Sequence, residues 1–295
     1  MRLALAFSLL ASTATAQTCG GNVNSFIDGV KAEARATGIP AATVDQFFQG
    51  AQIDQSVIRA DRSQGVFQKD FVSFSRALIS QNRIDNGRVY GNRNDSTFNT
   101  IQQRFGIPRG VLLAFWAFET DYGQVQGNFN TRNALLTLAH DCRRPDLFRP
   151  QLIAAIELFR RGGMNPATTT GAWAGEIGQL QKLPREIVRQ GLDGDGDGVV
   201  NLKTSAPDAL MTGANVLSSL GWRANEPWLQ EVVMPANLDW SQTGLNHKVS
   251  VRDWAAQGVR ARQGNLGPSN LPASSLLPMC SYGRACIAYA NFEVY

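Results

Sequence analysis

Apolar residues along most of this chain recur with the 3.6-residue spacing of amphipathic helices, and a shorter C-terminal region is typical of extended strands. Between Ser25 and Gly50 the pattern predicts two helices, separated by the helix-breaking Gly38-Ile39-Pro40. Further helices are predicted at 101–105, 108–123, 133–139, 150–161 and 209–220. Residues 231–235 indicate a strand, and the last residues indicate a β-hairpin. The pattern therefore predicts a mainly α fold with a small β-containing region near the C-terminal end.

The helix predicted at 108–123 contains a carboxylate in an unusual place. Leu112, Phe115 and Trp116 precede Glu119 by seven, four and three residues, so they share its face of the helix. The last turn of a helix also disfavours a negative charge because of the helix dipole. Both effects favour the protonated side chain, raise its pKa and make Glu119 a candidate general acid. The alternative is a helix rotated so that Glu119 meets water or an arginine.

The first 16 residues have the features of a secretory signal peptide, namely Arg2, the apolar stretch 3–10 and Ala14-Thr15-Ala16 before a cleavage point. No later stretch of membrane-spanning length is free of charged residues, so we expect an exported, soluble mature protein. Loss of Arg2 lowers the formal net charge from +4 to +3. So small an excess of scattered basic residues does not favour nucleic acid as a partner. It could draw the protein to an anionic wall or lipid surface, or have no specific meaning.

Four cysteines remain after cleavage, and an even number in an oxidising compartment predicts two disulfides. Cys280 and Cys286 flank a short turn between two apolar runs, which favours a local bridge between them. Cys19 and Cys142 would then pair by elimination, and the other connectivities remain open. The spacing of the cysteines, with only two histidines in the chain, does not favour a cysteine metal site.

A glycine-rich stretch, residues 174–184, is a second candidate for ligand contact. Gly175 and Gly178 allow a backbone to approach another group closely. Gln181 offers both a donor and an acceptor, the kind of group that reads sugar hydroxyl and acetamido groups. A tight helix start built from small residues is the alternative.

An aspartate-rich loop follows at 193–208. Asp193, Asp195 and Asp197 occupy positions one, three and five of an EF-hand loop, and a glycine occupies position six. Position twelve is Thr204 instead of the usual glutamate, and Asp208 could close a longer loop. Three carboxylates so close repel one another unless a cation neutralises them. The spacing favours a bound Ca²⁺ over a solvated Asp-Gly turn.

Several segments together resemble one family. They occur in the order Glu119-Thr120-Asp121-Tyr122-Gly123, Arg143-Arg144, the 174–184 stretch and the 193–208 loop. The family is that of membrane-bound lytic murein transglycosylase B, and the resemblance runs from about Phe26 to the C-terminus. It implies a lysozyme-like helical catalytic fold with an EF-hand-like calcium loop, in which Val199 joins the aspartates as a ligand. On this basis we divide the chain into a signal peptide (1–16), an N-terminal helical region (17–100), a catalytic core with the calcium loop (101–235) and a mixed region ending in a hairpin (236–295).

The resemblance also implies an activity on peptidoglycan glycan strands. Family members cleave the β-1,4 bond between N-acetylmuramic acid and N-acetylglucosamine and leave a 1,6-anhydro end. Asp121, two residues after Glu119, lies on another side of the helix, so a single carboxylate would act as acid and then as base. The residues that the resemblance assigns to substrate binding are Gln181, Arg143, Arg144, Trp173, Gly178 and Asn215. For the two arginines, a solvated or dipole-capping pair is the alternative. We expect a periplasmic monomer without an organic cofactor, with other cell-wall enzymes as possible partners.

Departures from the family pattern leave two other functions open. The chain has Ala172 where family members often carry a serine, and Lys182 where an aromatic residue commonly follows the glutamine. Leu147 and Val216 replace tyrosines, and Glu176 adds a carboxylate. Glu176 could be a second acid of the cleft, and a salt-bridged structural residue is the favoured alternative. The chain also stops at Tyr295, before a segment that completes the cleft in the family. These differences would suit a weakly active protein that binds or scaffolds the wall, or a lysozyme-type hydrolase.

Overall fold

The protein is described by a computed structural model that covers residues 19–63, 70–268, 270–276 and 285–294. The predicted signal peptide and Cys280 lie outside the described residues. The described part is mainly helical, as the hydrophobic pattern predicts. Its helices are α1 (Val23–Ala36), α2 (Ala41–Phe47), α3 (Gln55–Arg62), α4 (Phe71–Leu78), α5 (Gln81–Arg93), α6 (Asp95–Phe105), α7 (Arg109–Thr120), α8 (Thr131–His140), α9 (Pro145–Arg160), α10 (Pro184–Gln190), α11 (Ala206–Ser219) and α12 (Val251–Ala256).

Seven strands among the described residues form two antiparallel sheets. The strands are β1 (Phe129–Asn130), β2 (Thr170–Gly171), β3 (Leu229–Val233), β4 (Lys248–Ser250), β5 (Arg260–Ala261), β6 (Pro272–Leu276) and β7 (Ala285–Ala288). The short pair β1–β2 lies within the helical part, and the other five strands form a sheet in the order β4-β6-β7-β3-β5. In the register of β6 and β7, Ser274 faces Ala288 and Leu276 faces Cys286. The C-terminal pairing is thus the antiparallel arrangement that the alternating pattern indicates.

Two hydrophobic cores correspond to these two parts. The larger one extends through the helices from α1 to α11, and the smaller one lies between the five-stranded sheet and α12 around Trp254. Asn291 joins the two parts, since its side chain accepts a hydrogen bond from the Arg223 amide and donates to the carbonyls of Arg223 and Glu226. Among the described helices, none combines the length and the apolar character needed to cross a bilayer.

Helix boundaries differ from the predictions at several places, as at α6, which begins at Asp95 rather than at residue 101. α9 begins at Pro145 rather than at residue 150, because a proline fits the first turn of a helix, where its missing N–H is not needed. α7 begins after Pro108 as expected but ends at Thr120, three residues before the glycine that was expected to end it. Asp121 and Tyr122 already adopt left-handed backbone conformations, with φ of 51° and 60°. The tertiary contacts that stabilise this early end belong to the candidate site.

Candidate active site

The last turn of α7 is attached to the glycine-rich stretch by two buried hydrogen bonds. The indole nitrogen of Trp116 donates to Oε1 of Gln179 over 3.0 Å, and the Thr120 hydroxyl donates to the Gln179 carbonyl over 2.6 Å. The Gln179 amide in turn donates to the Leu202 carbonyl in the aspartate-rich loop. Gln179 therefore connects three segments and determines where Glu119, between Trp116 and Thr120 on the helix, can lie.

The turn after Glu119 is stabilised from α5. Asp121 pairs with Arg83 over 3.2 Å, and the Tyr122 hydroxyl donates to the Arg83 carbonyl over 2.7 Å. The Tyr122 ring stacks on Tyr90, with 5.1 Å between the ring centroids. These contacts offset the backbone strain of two consecutive non-glycine residues in the left-handed region. They also turn Asp121 toward Arg83, so it is not the second carboxylate of a cleft that contains Glu119.

Glu119 borders an apolar cavity of about 170 Å³. Leu112 and Phe115 line the cavity beside it, whereas Trp116, which shares the same helical face, is buried in the core. Glu119 itself stays exposed to solvent. Its pKa is raised because the surrounding groups remove part of its hydration, and the positive charge of Lys182 opposes that rise. The direction of the shift agrees with the prediction from the helical pattern.

Glu176 is a second carboxyl group in the same neighbourhood. It is partly buried, and its Oε2 has no hydrogen-bond partner among the described residues. Burial raises its pKa, the negative charge of Glu119 raises it further, and Arg144 acts in the opposite direction. The negative charge of Glu119 therefore opposes ionisation of Glu176.

Arg143 and Arg144 share a buried partner that the sequence did not indicate. Both guanidinium groups contact Oδ1 of Asp61, a residue of α3 whose side chain is 1% exposed, while the arginine side chains remain 46% and 39% exposed. Arg144 also lies over the ring of Phe148. Neither a purely solvated pair nor a helix-capping pair describes this arrangement. Contact of Arg143 and Arg144 with substrate stays a prediction, which their partial exposure to solvent permits.

The glycine-rich stretch folds into a closed loop, with paired backbone hydrogen bonds between Ile177 and Lys182. The side-chain nitrogen of Gln181 donates to the carbonyls of Gly178 and Gln126, over 2.9 and 3.3 Å. Both amide protons are thereby used within the protein. Gln181 was expected to offer a ligand both a donor and an acceptor, and the structure leaves it only the acceptor Oε1.

The two glycines of this stretch serve internal packing, which corrects the reason given for them. Gly178 has φ of 82°, and a Cβ there would lie 2.5 Å from the Leu202 carbonyl oxygen. A Cβ at Gly175 would lie 2.3 Å from the Leu135 side chain. The close approach that these glycines permit is thus to the protein's own chain rather than to a ligand.

The structure does not bring two further predicted residues to the cavity lining. Trp173 packs, partly buried, against the helical core. Asn215 donates to the Gln190 carbonyl over 2.9 Å, where it closes the end of α10. Their assignment to substrate binding remains a prediction.

The aspartate loop brings three carboxylates together. Oxygen atoms of Asp193, Asp195 and Asp197 lie within 4.8 Å of one another, and all three side chains are exposed. Asp193 also accepts hydrogen bonds from the amides of Gly196 and Gly198, over 2.6 and 2.8 Å. A compact set of oxygen donors on a turn of this kind can bind a hard divalent cation.

Asp208 does not join that cluster, contrary to the prediction. It is fully buried, and its two oxygens accept from the amides of Gly194 and Asn201 over 2.8 and 2.7 Å. It therefore closes the loop through backbone hydrogen bonds. Val199, the predicted carbonyl ligand, donates its amide to Asp197, and its metal role remains a prediction.

A disulfide joins Cys19 to Cys142, with 5.2 Å between the two Cα atoms. It ties the start of the described chain to the residue before Arg143. Cys286, on β7, forms no disulfide with another described residue. Its predicted partner, Cys280, is not among the described residues, so that bridge stays a prediction.

Comparisons with known proteins agree on one family. Residues 22–295 match the transglycosylase SLT domain. Membrane-bound lytic murein transglycosylase B of Escherichia coli is 26% identical over 196 residues, which cover 65% of this chain and 53% of the relative. The match thus spans about half the length of that relative.

Solved structures extend the similarity to the fold. SltB3 of Pseudomonas aeruginosa, in complex with NAG-NAM-pentapeptide, is 32% identical with a TM-score of 0.83, over 93% of this chain and 74% of that chain. The E. coli lytic transglycosylase Slt35, in complex with calcium, is 24% identical with a TM-score of 0.72, over 96% and 90%. The chain therefore belongs to the transglycosylase SLT domain family, as its motifs predict.

Proposed function

We propose that the protein is a lytic transglycosylase that cleaves the β-1,4 bond between N-acetylmuramic acid and N-acetylglucosamine in peptidoglycan. The observation that carries the proposal is the position of Glu119, which is attached through its helix to Gln179 and borders an apolar cavity that raises its pKa. The family membership and the peptidoglycan fragment bound to SltB3 support the substrate class.

In the proposed mechanism one carboxyl group transfers two protons in turn. Glu119 first donates its proton to the glycosidic oxygen as the bond to C1 of the muramic acid breaks. The acetamido group of the same sugar stabilises the developing positive charge. The ionised Glu119 then accepts the proton of the C6 hydroxyl, whose oxygen bonds to C1 and closes the 1,6-anhydro ring. Loss of hydration raises the pKa of Glu119 and so favours the protonated acid of the first step, whereas the charge of Lys182 favours the carboxylate needed for the second.

The environment of Glu176 supports the single-carboxylate mechanism over that of an ordinary two-carboxylate glycosidase. A retaining or inverting hydrolase needs one carboxyl group protonated and the other ionised, so the environments of the two must move their pKa values apart. Here burial raises the pKa of both Glu119 and Glu176. Neither environment lowers the pKa of one carboxyl group while raising that of the other, so the pair lacks the divergence that a two-carboxylate mechanism uses. A lysozyme-type hydrolase with Glu176 as the second carboxylate is therefore the second candidate.

Digestion of purified murein sacculi, with mass spectrometry of the soluble products, tests the proposal. We expect anhydro-muropeptides from the wild type and none from Glu119→Gln. Glu226→Gln, which changes an exposed ion pair away from the cavity, serves as the control and should keep the activity. Products with reducing ends that disappear in Glu176→Gln would establish the hydrolase instead. Binding to sacculi without any soluble product would establish a wall-binding or scaffold protein.

We also propose that the aspartate loop binds one Ca²⁺, with Asp193, Asp195 and Asp197 as side-chain ligands and Val199 as a carbonyl ligand. The clustered oxygens and the calcium complex of Slt35 support this assignment. When bound, the ion would neutralise three carboxylates and stabilise the loop that contacts Gln179 through Leu202, without taking part in proton transfer. Calorimetry should show binding that Asp195→Ala abolishes. No heat at millimolar Ca²⁺ would refute it.

The proposed substrate lies outside the cytoplasm. We propose export through the signal peptide at 1–16 and action in the periplasm, as a monomer. Fractionation of expressing cells should recover the protein in the periplasm with Gln17 as its first residue. A cytoplasmic protein that retains Met1 would contradict this.

A further inference from the structure

The cavity beside Glu119 contains one positive charge. Among the described residues that line it, Glu119 and Lys182 are the only charged ones, and the rest are apolar side chains and a glycine. Both side chains line the same cavity, and the positive charge of Lys182 acts to lower the pKa of Glu119. Lys182 can influence the pKa of Glu119 without touching the substrate. Whether its ammonium group also binds the substrate directly is a second question.

Lys182 starts from a rigid backbone. Its amide donates to the Ile177 carbonyl over 3.0 Å, and its carbonyl accepts from the Ile177 amide over 2.8 Å. Gly178, inside the same loop, is packed against Leu202. The direction in which the lysine side chain leaves the backbone is therefore determined by packed structure, unlike that of a lysine on a mobile surface loop. A rigid origin reduces the entropy lost when such a side chain binds a ligand.

The ammonium group has only a loose partner within the protein. Its nitrogen lies 3.5 Å from Oε1 of Glu186 in the first turn of α10, and the two side chains are 23% and 32% exposed. A pair this long between two partly exposed side chains contributes little free energy, so an incoming anion can replace Glu186 at small cost. The neighbouring arginines do not compete strongly with Lys182 for the incoming anion, and Glu119 does not compete strongly with that anion for Lys182. Arg143 and Arg144 are bound to Asp61, and Glu119 must hold its proton before cleavage.

We propose that Lys182 is a specificity-determining residue that binds a carboxylate of the peptide stem of peptidoglycan. The inference rests on the proposed function, because it takes peptidoglycan as the substrate. Peptide stems carry free carboxylates, and an ammonium group on a rigid loop beside the reacting bond provides a complementary charge. The protein would thus prefer glycan units with charged stems over units whose stems are neutral or absent. In the absence of a peptide stem, Glu186 pairs with the ammonium group.

Binding of short ligands tests the inference without relying on activity. GlcNAc-MurNAc-peptide has no MurNAc–GlcNAc bond to cleave, so the wild-type protein can be titrated with it by calorimetry. The comparison ligands are the same molecule with amidated stem carboxylates and GlcNAc-MurNAc without a stem. We expect the free-carboxylate ligand to bind about tenfold more tightly than the amidated one, which is the typical effect of one good charged contact.

Variants of Lys182 test whether this side chain causes the preference for free stem carboxylates. Lys182→Met should bring the two dissociation constants together, and Lys182→Arg should restore most of the difference. Arg189→Met removes an exposed cation of α10 that does not line the cavity and should leave the preference unchanged. The inference is overturned if Lys182→Met keeps the wild-type preference, or if the wild type binds both ligands equally. Failure of the proposed function is seen separately, as the absence of anhydro products from sacculi.

Discussion

Asp208 offers the sharpest test of how the aspartate loop is stabilised. Asp208 is fully buried and both of its oxygens accept backbone amides, whereas the side chains of Asp193, Asp195 and Asp197 are exposed, although Asp193 also accepts two amides. In Asp208→Asn the new amide group can replace only one acceptor, and it directs a donor at the other N–H. One charge-assisted hydrogen bond is worth about 1.5–3 kcal/mol, and leaving a buried donor unpaired costs about 1–3 kcal/mol. We therefore expect a loss of about 3 kcal/mol in the free energy of unfolding.

Urea unfolding in EDTA and in millimolar Ca²⁺ measures this loss. Asp208→Asn should be destabilised by a similar amount in both conditions, because its hydrogen bonds do not require a metal. The matched variant Asp195→Asn should keep wild-type stability in EDTA and lose the additional stability that Ca²⁺ provides by binding only the folded protein. The reasoning is refuted if Asp208→Asn is as stable as the wild type in EDTA and loses only the calcium-dependent increment. Asp208 would then be a ligand rather than the residue that closes the loop.

Three further predictions concern other contacts. Replacing Cys19 and Cys142 by serine should lower the free energy of unfolding by about 4–5 kcal/mol, because the bridge closes a loop of 123 residues; an equal loss in wild type under reducing conditions is the check. Gly178→Ala should cost about 2–4 kcal/mol in thermal unfolding, whereas Gly196→Ala, with a similar φ of 80° but open space around it, should cost about 1 kcal/mol. Glu176→Gln should stabilise the protein at pH 7 and not at pH 3. The raised pKa of Glu176 means that the folded wild type binds the proton more tightly than the unfolded chain, so its stability falls as pH rises above the ordinary glutamate range. Melting curves with the same difference at both pH values would contradict this.

Features that depend on local sequence were predictable, and features that depend on distant partners were not. Pro108 and the apolar residues after it predicted α7, and the position of Glu119 within it predicted the direction of its pKa shift. The early end of α7 depends on Arg83 and Tyr90, which belong to another helix. Asp61 likewise lies more than 80 residues before the arginines that it binds, and neither pattern nor spacing indicates that contact.

In the glycine-rich stretch, the sequence indicates close approach of another group but not which group approaches. Gly175 and Gly178 do permit close approach, but the approaching groups are Leu135 and the Leu202 carbonyl. A glycine in a sequence shows that a Cβ is absent, but it does not show which atoms pack in its place. Gln179 connects this stretch to Trp116 and Thr120 through tertiary hydrogen bonds, which sequence spacing does not indicate. The signal that the sequence offers is a polar residue directly after Gly178.

The contacts between α5 and the turn after Glu119 determine how far the chain can be dissected. A fragment starting at residue 101 would keep Glu119, Gln179 and the aspartate loop, yet it would lack Arg83 and Tyr90. The fragment would keep the edge contact of Tyr122 with Trp116 and the hydrogen bond from the Gly123 amide to the Thr120 hydroxyl. The left-handed conformations of Asp121 and Tyr122 would then be less well stabilised, and α7 would be freer to extend by another turn. Glu119 would then lie in the interior of a longer helix with a changed orientation. A minimal active fragment of this protein must therefore include α5, although no residue of α5 lines the cavity.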